Sequence, residues 1–406
     1  MFDVEKRFAR PGHRNLAVVL KVAERCNLAC TYCYFFFGSD DSYLKHPALV
    51  SPDTVADIAR FLGESARRHR LERIELVLHG GEPLLLKPER TAALVEAVAA
   101  AMPTYCEVDF ALQTNGVLID KRWIDLFARY DIGVGVSLDG PRAVNDLARL
   151  DKRGASSFDD TVAGWRMLKQ AAADGRIKEP GILSVFAPTT NADTLAFFID
   201  ELGAKKINFL LPDMFCDSAE VDAAAIERVG ETMIAIFEEW RRRSDPDVHV
   251  RFVNDALLPM IASIPAESSH NFREDLWRAM TIASDGMIYV EDTVRGAFAD
   301  RPEGILNVAD SSATDVLSHP FWRTIAEAAD KRPAACRECR YADVCQSGPL
   351  VSRYSHANGF DNPSLYCPAL FAFHRHVERE VAATGRLLSA RRHAPGAPTT
   401  VDKEAA

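Results

Sequence analysis

An alternation running from about Leu16 to Leu211 constrains the fold most. Short apolar runs of strand length are each followed by a polar turn and a stretch with helical spacing. Strands are expected at 16–22 (LAVVLKV), 74–78, 108–113, 134–138, 182–187 and 207–211. Helices are expected at 52–68, 88–101, 120–130, 158–173 and 192–202. The first of these opens on Ser51-Pro52, where serine caps and proline suits the first helical position. Apolar strands joined by amphipathic helices imply an α/β fold with a parallel sheet covered by helices. Six such units can curl into a partial (β/α)6 barrel.

Each expected strand ends in a polar or glycine-rich segment: His79-Gly80-Gly81-Glu82-Pro83, Thr114-Asn115-Gly116 and Asp139-Gly140-Pro141. These are the strand ends where α/β folds place their chemistry. Beyond residue 219 the pattern changes. One long helix is expected up to Arg243, then a charged break with a proline. From about residue 283 to Cys367 the chain is short-segmented and cysteine-bearing, and from about Ser389 it is rich in Arg, Ala and Pro. The expected organisation is therefore a barrel at 1–243, a linker at 244–282, a small cysteine domain at 283–375, and a C-terminal helix with a disordered tail at 376–406. Only about 15 residues precede the first strand, which argues against an added N-terminal peptide-binding domain.

Nine cysteines fall into two groups and two singles. The first 14 residues are charged, with no signal-peptide core, and no apolar run reaches the length of a membrane span. A cytoplasmic protein that does not act at a membrane is expected. Reduced thiols follow, so clustered cysteines read as metal or cluster ligands. The net charge of −10 argues against nucleic acid as a partner. Cys106 and Cys216 read as ordinary thiols.

The first group, Cys26-Asn-Leu-Ala-Cys30-Thr-Tyr-Cys33, has the spacing C-x3-C-x2-C. Three thiolates on one loop suit three corners of a cubane iron–sulfur cluster and leave its fourth iron open. Structural zinc sites want four ligands, usually in pairs, and fit this spacing poorly. With this motif the chain resembles the radical S-adenosylmethionine (SAM) superfamily. The resemblance implies that the open iron chelates SAM, whose reductive cleavage yields a 5′-deoxyadenosyl radical that abstracts hydrogen from a substrate. It also implies SAM contacts from Gly80, Gly81 and Glu82, which resemble the family's Gly-Gly-Glu-Pro motif, and from Asn115, Ser137 and Arg149, with Tyr32 near the adenine. An arginine suits the SAM carboxylate because it can donate two parallel hydrogen bonds.

The second group is Cys336, Cys339, Cys345 and Cys367, spaced C-x2-C-x5-C-x21-C. The spacing alone admits zinc as readily as a fully ligated 4Fe–4S cluster. In context it resembles the SPASM domain, an auxiliary-cluster domain of radical SAM enzymes that modify peptides, as do Gly286-x4-Glu291-Asp292 and Gly304-Ile-Leu-Asn307-Val308. A full SPASM domain has seven cysteines and two clusters. Here Glu291 and Pro349 stand where it has cysteine. The resemblance therefore implies one auxiliary cluster and two 4Fe–4S clusters in all. Glu291 is expected to be exposed or salt-bridged. Asp292 matches an aspartate thought to act as base in related maturases.

The resemblance spans roughly residues 16–367. It implies a maturase of a ribosomally made precursor peptide carrying a leader, with an electron donor such as flavodoxin. The run Cys30-Thr-Tyr-Cys33-Tyr34-Phe35-Phe36 and the single auxiliary cluster are similar to maturases that form aryl–Cβ cyclophane cross-links. The rival enzyme readings are an anaerobic sulfatase maturase, against which the missing cysteines count, and another peptide modification such as thioether formation. A non-catalytic iron–sulfur electron carrier or sensor is the reading from a different class. The Gly80–Glu82 segment, Ser137 and Arg149 argue against it, since an electron carrier needs no SAM pocket.

Overall fold

A computed structural model of the chain describes residues 4–9, 12–38, 41–218, 222–261, 276–298 and 306–392. Six strands follow one another in chain order: β1 (Asn15–Ala23), β2 (Arg73–Gly80), β3 (Glu107–Thr114), β4 (Gly133–Ser137), β5 (Gly181–Val185) and β6 (Lys206–Leu210). Each pairs in parallel with the next. The intervening helices are Pro52–His69, Pro88–Ala101, Lys121–Tyr130, Phe158–Ala173 and Ala192–Asp200. This is the sheet of the expected partial barrel, and two of its helices start on side-chain caps that the sequence signals. Ser51 accepts a hydrogen bond from Thr54 N, and Asp120 accepts one from Trp123 N.

The strands are not buried on both faces. Along β2, Ile74, Leu76 and Leu78 are wholly buried against the helices, while Val77 and His79 on the other face are half open. The inner face lines a cavity, and it carries the polar side chains at the strand ends. Lys21 and His79 are register partners across β1 and β2.

The stretch expected as a linker contributes to the sheet instead. Its two-residue β7 (His249–Val250) pairs with β6, and β8 (Ala279–Ile282) pairs in parallel with β1 at the other end. Strands this short carry no readable periodicity. The helix Arg251–Ile261 lies between them in sequence; residues 262–275 lie outside the described part. β9 (Met287–Tyr289) and β10 (Leu306–Asn307) continue from β8 as antiparallel strands, giving the order β10-β9-β8-β1-β2-β3-β4-β5-β6-β7. The cysteine-bearing region is thus hydrogen-bonded into the barrel sheet. Gly286, at φ +85°, makes the β8–β9 turn, and a Cβ there would sit 2.9 Å from Asn307 Oδ1. Gly304 of the second matching motif lies outside the described residues.

The long helix Ala223–Arg243 packs on the C-terminal helix Cys367–Arg392. They approach closely at Gly230, where a Cβ would lie 3.0 Å from Ala369 Cα. Phe209, Phe252, Phe373 and Phe237 form a continuous aromatic chain from β6 to that last helix. The tail expected to be disordered begins inside the helix, and its remainder, 393–406, lies outside the described residues.

Candidate active site

Cys26, Cys30 and Cys33 sit on the loop after β1 and line one wall of an open cavity of ≈ 520 Å³ at the C-terminal ends of the strands. Burial pushes the Cys26 thiol up to about 12, with the Cys30 and Cys33 sulfurs near enough to add to the effect. Burial also raises Cys30. The desolvated Cys26 and Cys30 thiols are poorly served as free thiolates, and with Cys33 on the same loop the set is well served by cationic iron. The Cys26 sulfur already accepts hydrogen bonds, from Leu28 N at 3.3 Å and Asn115 Nδ2 at 3.8 Å. The donor set therefore fits a three-thiolate cluster.

The two glycines after β2 are required by the loop itself. A Cβ on Gly80, at φ +144°, would meet Ala23 O at 2.1 Å, and one on Gly81 would meet Arg25 O at 2.4 Å. The strand end thus packs its bare backbone against the entry to the cysteine loop. Both glycines also border the cavity.

Glu82 is placed differently from the expected SAM contact. It is wholly buried, and its carboxylate accepts from Leu84 N, Thr114 Oγ1 and Asn115 N at 3.0, 2.7 and 2.8 Å. Burial outweighs these bonds and lifts it to about 7. Its side chain braces β2 against β3 and does not line the cavity. Asn115, Ser137, Arg149 and Tyr32 do line it. Ser137 Oγ accepts from Gln113 Nε2 at 2.8 Å, and Asn115 Nδ2 donates to Asn27 Oδ1 at 2.7 Å. Arg149 is buried, with Nε 2.9 Å from Asp139 Oδ2. The Tyr32 hydroxyl donates to that same oxygen at 2.6 Å, and its ring faces the guanidinium at 5.4 Å. Asp139 thus orients both side chains. Sequence reading passed it over as part of a turn, although it closes the Ser137-Leu138-Asp139 strand end.

Asp292 ties the C-terminal region to this loop. Lys21 Nζ, fully buried, donates to Asp292 Oδ2 at 2.5 Å and lies 3.1 Å from His79 Nδ1. The Tyr34 hydroxyl donates to the same Asp292 oxygen, and Arg295 faces the other at 3.6 Å. Burial alone would raise Asp292, but Lys21 and Arg295 hold it well below the usual carboxylate range. Burial and Lys21 push His79 down to about 3, so its ring is neutral and accepts from the ammonium. Tyr34 lines the cavity and Asp292 stands behind it. The candidate base therefore reaches the cavity through the tyrosine.

Two further carboxylates were missed or misplaced by the sequence reading. Asp213, just after β6, opens into the cavity. Burial in the protein wall and the nearby Glu291 and Asp292 raise it to about 7. Glu291 is neither exposed nor ion-paired among the described residues. It is half-buried and accepts from Thr293 Oγ1 at 2.6 Å. Nothing in its spacing distinguishes Asp213 from an ordinary turn aspartate.

Cys336, Cys339, Cys345 and Cys367 line a second pocket. Burial and the other three sulfurs push Cys345 up to about 12, against a hydrogen bond from Ser347 N. Four thiols lining one pocket, with Cys345 and Cys367 both raised by burial, fit a fully ligated metal centre. Cys106 is buried and Cys216 half-buried, both apart from the two groups.

Comparison with known proteins agrees with this geometry. The model of the Radical SAM superfamily matches residues 20–183. The serine-type anaerobic sulfatase-maturating enzyme of Klebsiella aerogenes is 30% identical over 366 residues, 87% of this chain and 82% of its own length. The chain belongs to the radical SAM superfamily. It is an enzyme related to the anaerobic sulfatase maturases. The cysteine-type sulfatase-maturating enzyme of Clostridium perfringens (strain ATCC 13124) is 28% identical over 88% of this chain and 95% of its own. The fold matches the solved structure of anSMEcpe with bound AdoMet and the Kp18Cys peptide, with a TM-score of 0.76 at 20% identity over 92% of this chain and 99% of that one. It also matches Streptococcus suis SuiB, with a TM-score of 0.58 at 16% identity over 86% of this chain and 76% of that one. Among the described residues no helix is long and apolar enough to cross a membrane.

Proposed function

We propose that this chain is a radical SAM oxidoreductase that modifies a side chain of a ribosomally made precursor peptide by removing a hydrogen atom from its β-carbon. The observation that carries the reading is one cavity with the cysteine loop on one wall, a proton-accepting carboxylate, Asp213, on another, and the Tyr34 hydroxyl held by Asp292 beside them. The sulfatase-maturating relatives support peptide as the substrate class, as do the peptide in the anSMEcpe structure and the precursor peptide SuiA in a SuiB structure.

Cys26, Cys30 and Cys33 would hold the first 4Fe–4S cluster, and Cys336, Cys339, Cys345 and Cys367 the auxiliary one. When bound, the first cluster and SAM supply hydrogen-atom abstraction, and the auxiliary cluster accepts an electron. The protein does the rest. Asn115, Ser137 and Arg149 orient the SAM methionine moiety, Tyr32 borders its adenine, and Gly80 and Gly81 let the loop seat closely. Phe35 and Phe36 line the loop wall and help to exclude water. Asp213, raised to about 7, is the group best matched to receive the proton lost as the oxidised side chain settles into a closed-shell product, while Asp292, held low by Lys21 and Arg295, orients the Tyr34 hydroxyl at the cavity wall. A donor such as flavodoxin supplies the priming electron, in a reducing compartment.

The product proposed is an aryl–Cβ cross-link, formed when the β-carbon bonds to a nearby aromatic ring as one electron and one proton leave. The sequence favours this over formylglycine, because Glu291 and Pro349 replace auxiliary-cluster cysteines. The identity to serine-type sulfatase maturases carries the second reading, formylglycine. The test is incubation of the reconstituted enzyme, SAM and reductant with two synthetic peptide sets. One pairs an aromatic residue with a nearby β-methylene, and the other carries Ser or Cys in a sulfatase-like context. The proposal expects the first set to lose two hydrogen atoms without becoming reactive to aldehyde reagents. An aldehyde on the second set alone would establish the rival. No change in either, with SAM consumed, would remove these peptides as substrates.

A further inference from the structure

The second pocket has polar groups that the four cysteines do not account for. His374 and Ser347 are 6% and 4% exposed, and both line the pocket. Neither His374 Nδ1 nor Ser347 Oγ has a hydrogen-bond partner among the described residues. A buried donor without a partner is costly, so a structure that keeps two beside the same four sulfurs points to an acceptor in the pocket itself.

Each residue is held there by its own local structure. Cys367, Leu370, Phe371 and His374 fall at helical spacing i, i+3, i+4 and i+7 and form one stripe lining the pocket. The His374 ring is packed against Tyr341 at 5.9 Å and Phe373 at 5.6 Å between centroids. The Tyr341 hydroxyl donates to Glu378 Oε2 at 2.7 Å, which fixes that wall. Ser347 sits in a run of three left-handed residues directly after the third cysteine: Gln346 at φ +52°, Ser347 at +71° and Gly348 at +74°. Two consecutive non-glycine residues in that region are strained, and such strain persists where surrounding contacts enforce it. Here it turns the Ser347 N–H onto the Cys345 sulfur.

We propose that His374, together with Ser347, donates hydrogen bonds to sulfur atoms of the auxiliary 4Fe–4S cluster and thereby sets its reduction potential. This rests on the four cysteines holding an iron–sulfur cluster. Hydrogen bonds to cluster sulfur stabilise the more negative, reduced state and raise the potential. His374 and Ser347 are thus positioning residues for electron acceptance and touch no substrate. Sequence reading missed His374, although its place seven residues after Cys367 on a helix is the signal that finds it.

The test is a redox titration of the anaerobically reconstituted holoenzyme, following the electron paramagnetic resonance signal that SAM does not perturb. A fully ligated cluster has no open iron for SAM, so that signal belongs to the auxiliary site. His374→Phe and Ser347→Ala are each expected to shift its one-electron equilibrium roughly tenfold towards the oxidised cluster, about 59 mV, with iron content unchanged. His374→Gln keeps a donor and is expected to stay near the wild type. Potentials of both first variants equal to the wild type, at full iron, would overturn the proposal. Should His374→Phe lose iron, Ser347→Ala decides: a shift supports the proposal and an unchanged potential overturns it. Zinc in the wild-type site would remove the auxiliary cluster itself and the proposal with it, and metal analysis identifies that result before any potential is measured.

Discussion

Replacing Lys21 by methionine tests whether the buried ion pair is the tie between the C-terminal region and the barrel. Lys21 is 0% exposed and Asp292 is 6% exposed, with Nζ and Oδ2 2.5 Å apart. Removing one partner of a buried pair costs about 3–5 kcal/mol, because a charge is left without compensation. Arg295, 3.6 Å from the other Asp292 oxygen, and the Tyr34 hydroxyl remain, so the lower end, about 3 kcal/mol, is expected. Asp292→Asn has a matching cost, since it leaves the Lys21 ammonium with the neutral His79 ring. The double variant removes both charges, and its cost is expected to fall short of the sum by about 2 kcal/mol. The sign with pH is fixed by the direction of the shift. In the wild type Asp292 is held below its unfolded value, so its contribution is present above about pH 4 and is lost as pH falls further. Without Lys21 the native-state pKa of Asp292 rises, each unit being worth about 1.4 kcal/mol, so the variant's deficit is smallest in acid, grows with pH between the two native-state values and is constant above the higher one. Urea unfolding of the cluster-loaded protein under anaerobic conditions, from below about pH 4 up to about pH 8, reads all of this. A deficit below about 1 kcal/mol with no pH trend, or strict additivity in the double variant, would refute the reasoning.

Gly81→Ala changes no ligand, yet its Cβ would meet Arg25 O at 2.4 Å and push the cysteine loop. It should lower iron uptake at the first site several-fold, at a cost of about 1–3 kcal/mol, and metal analysis showing full occupancy would disprove the packing argument. Asp213, raised to about 7, is destabilising when ionised. Asp213→Asn should therefore be more stable than the wild type at pH 8, the difference vanishing in acid, and identical melting curves across that range would count against its raised pKa. Asp213→Asn should also spare SAM cleavage but slow product formation by about 10²-fold if this carboxylate receives the departing proton, and an unchanged product rate would remove it from the path.

The barrel was legible because its strands are long enough to show apolar runs and its helices carry caps at Ser51 and Asp120. The ends of the sheet were not, since β7 has two residues and β8 four, and pairing across more than 250 residues leaves no local trace. The cysteine spacings announced both thiol groups. What spacing does not reveal is which way a side chain faces. Glu82 turns inward as a brace, and Asp292 is enclosed by its neighbour Arg295 together with Lys21 and Tyr34 from a distant segment. Asp213 became visible only when folding set it on the cavity wall, whereas His374 left a helical-spacing signal relative to Cys367.

The central claim is that this chain holds two iron–sulfur clusters and cleaves SAM at one of them. The most direct measurement is iron, sulfide and zinc content after anaerobic reconstitution, paired with mass spectrometry of SAM products on reduction in the presence of the peptide sets. About eight irons per chain and formation of 5′-deoxyadenosine is the predicted result, with cleavage abolished by Cys26→Ala, Cys30→Ala or Cys33→Ala. Fully loaded protein that leaves SAM intact under reduction would contradict it.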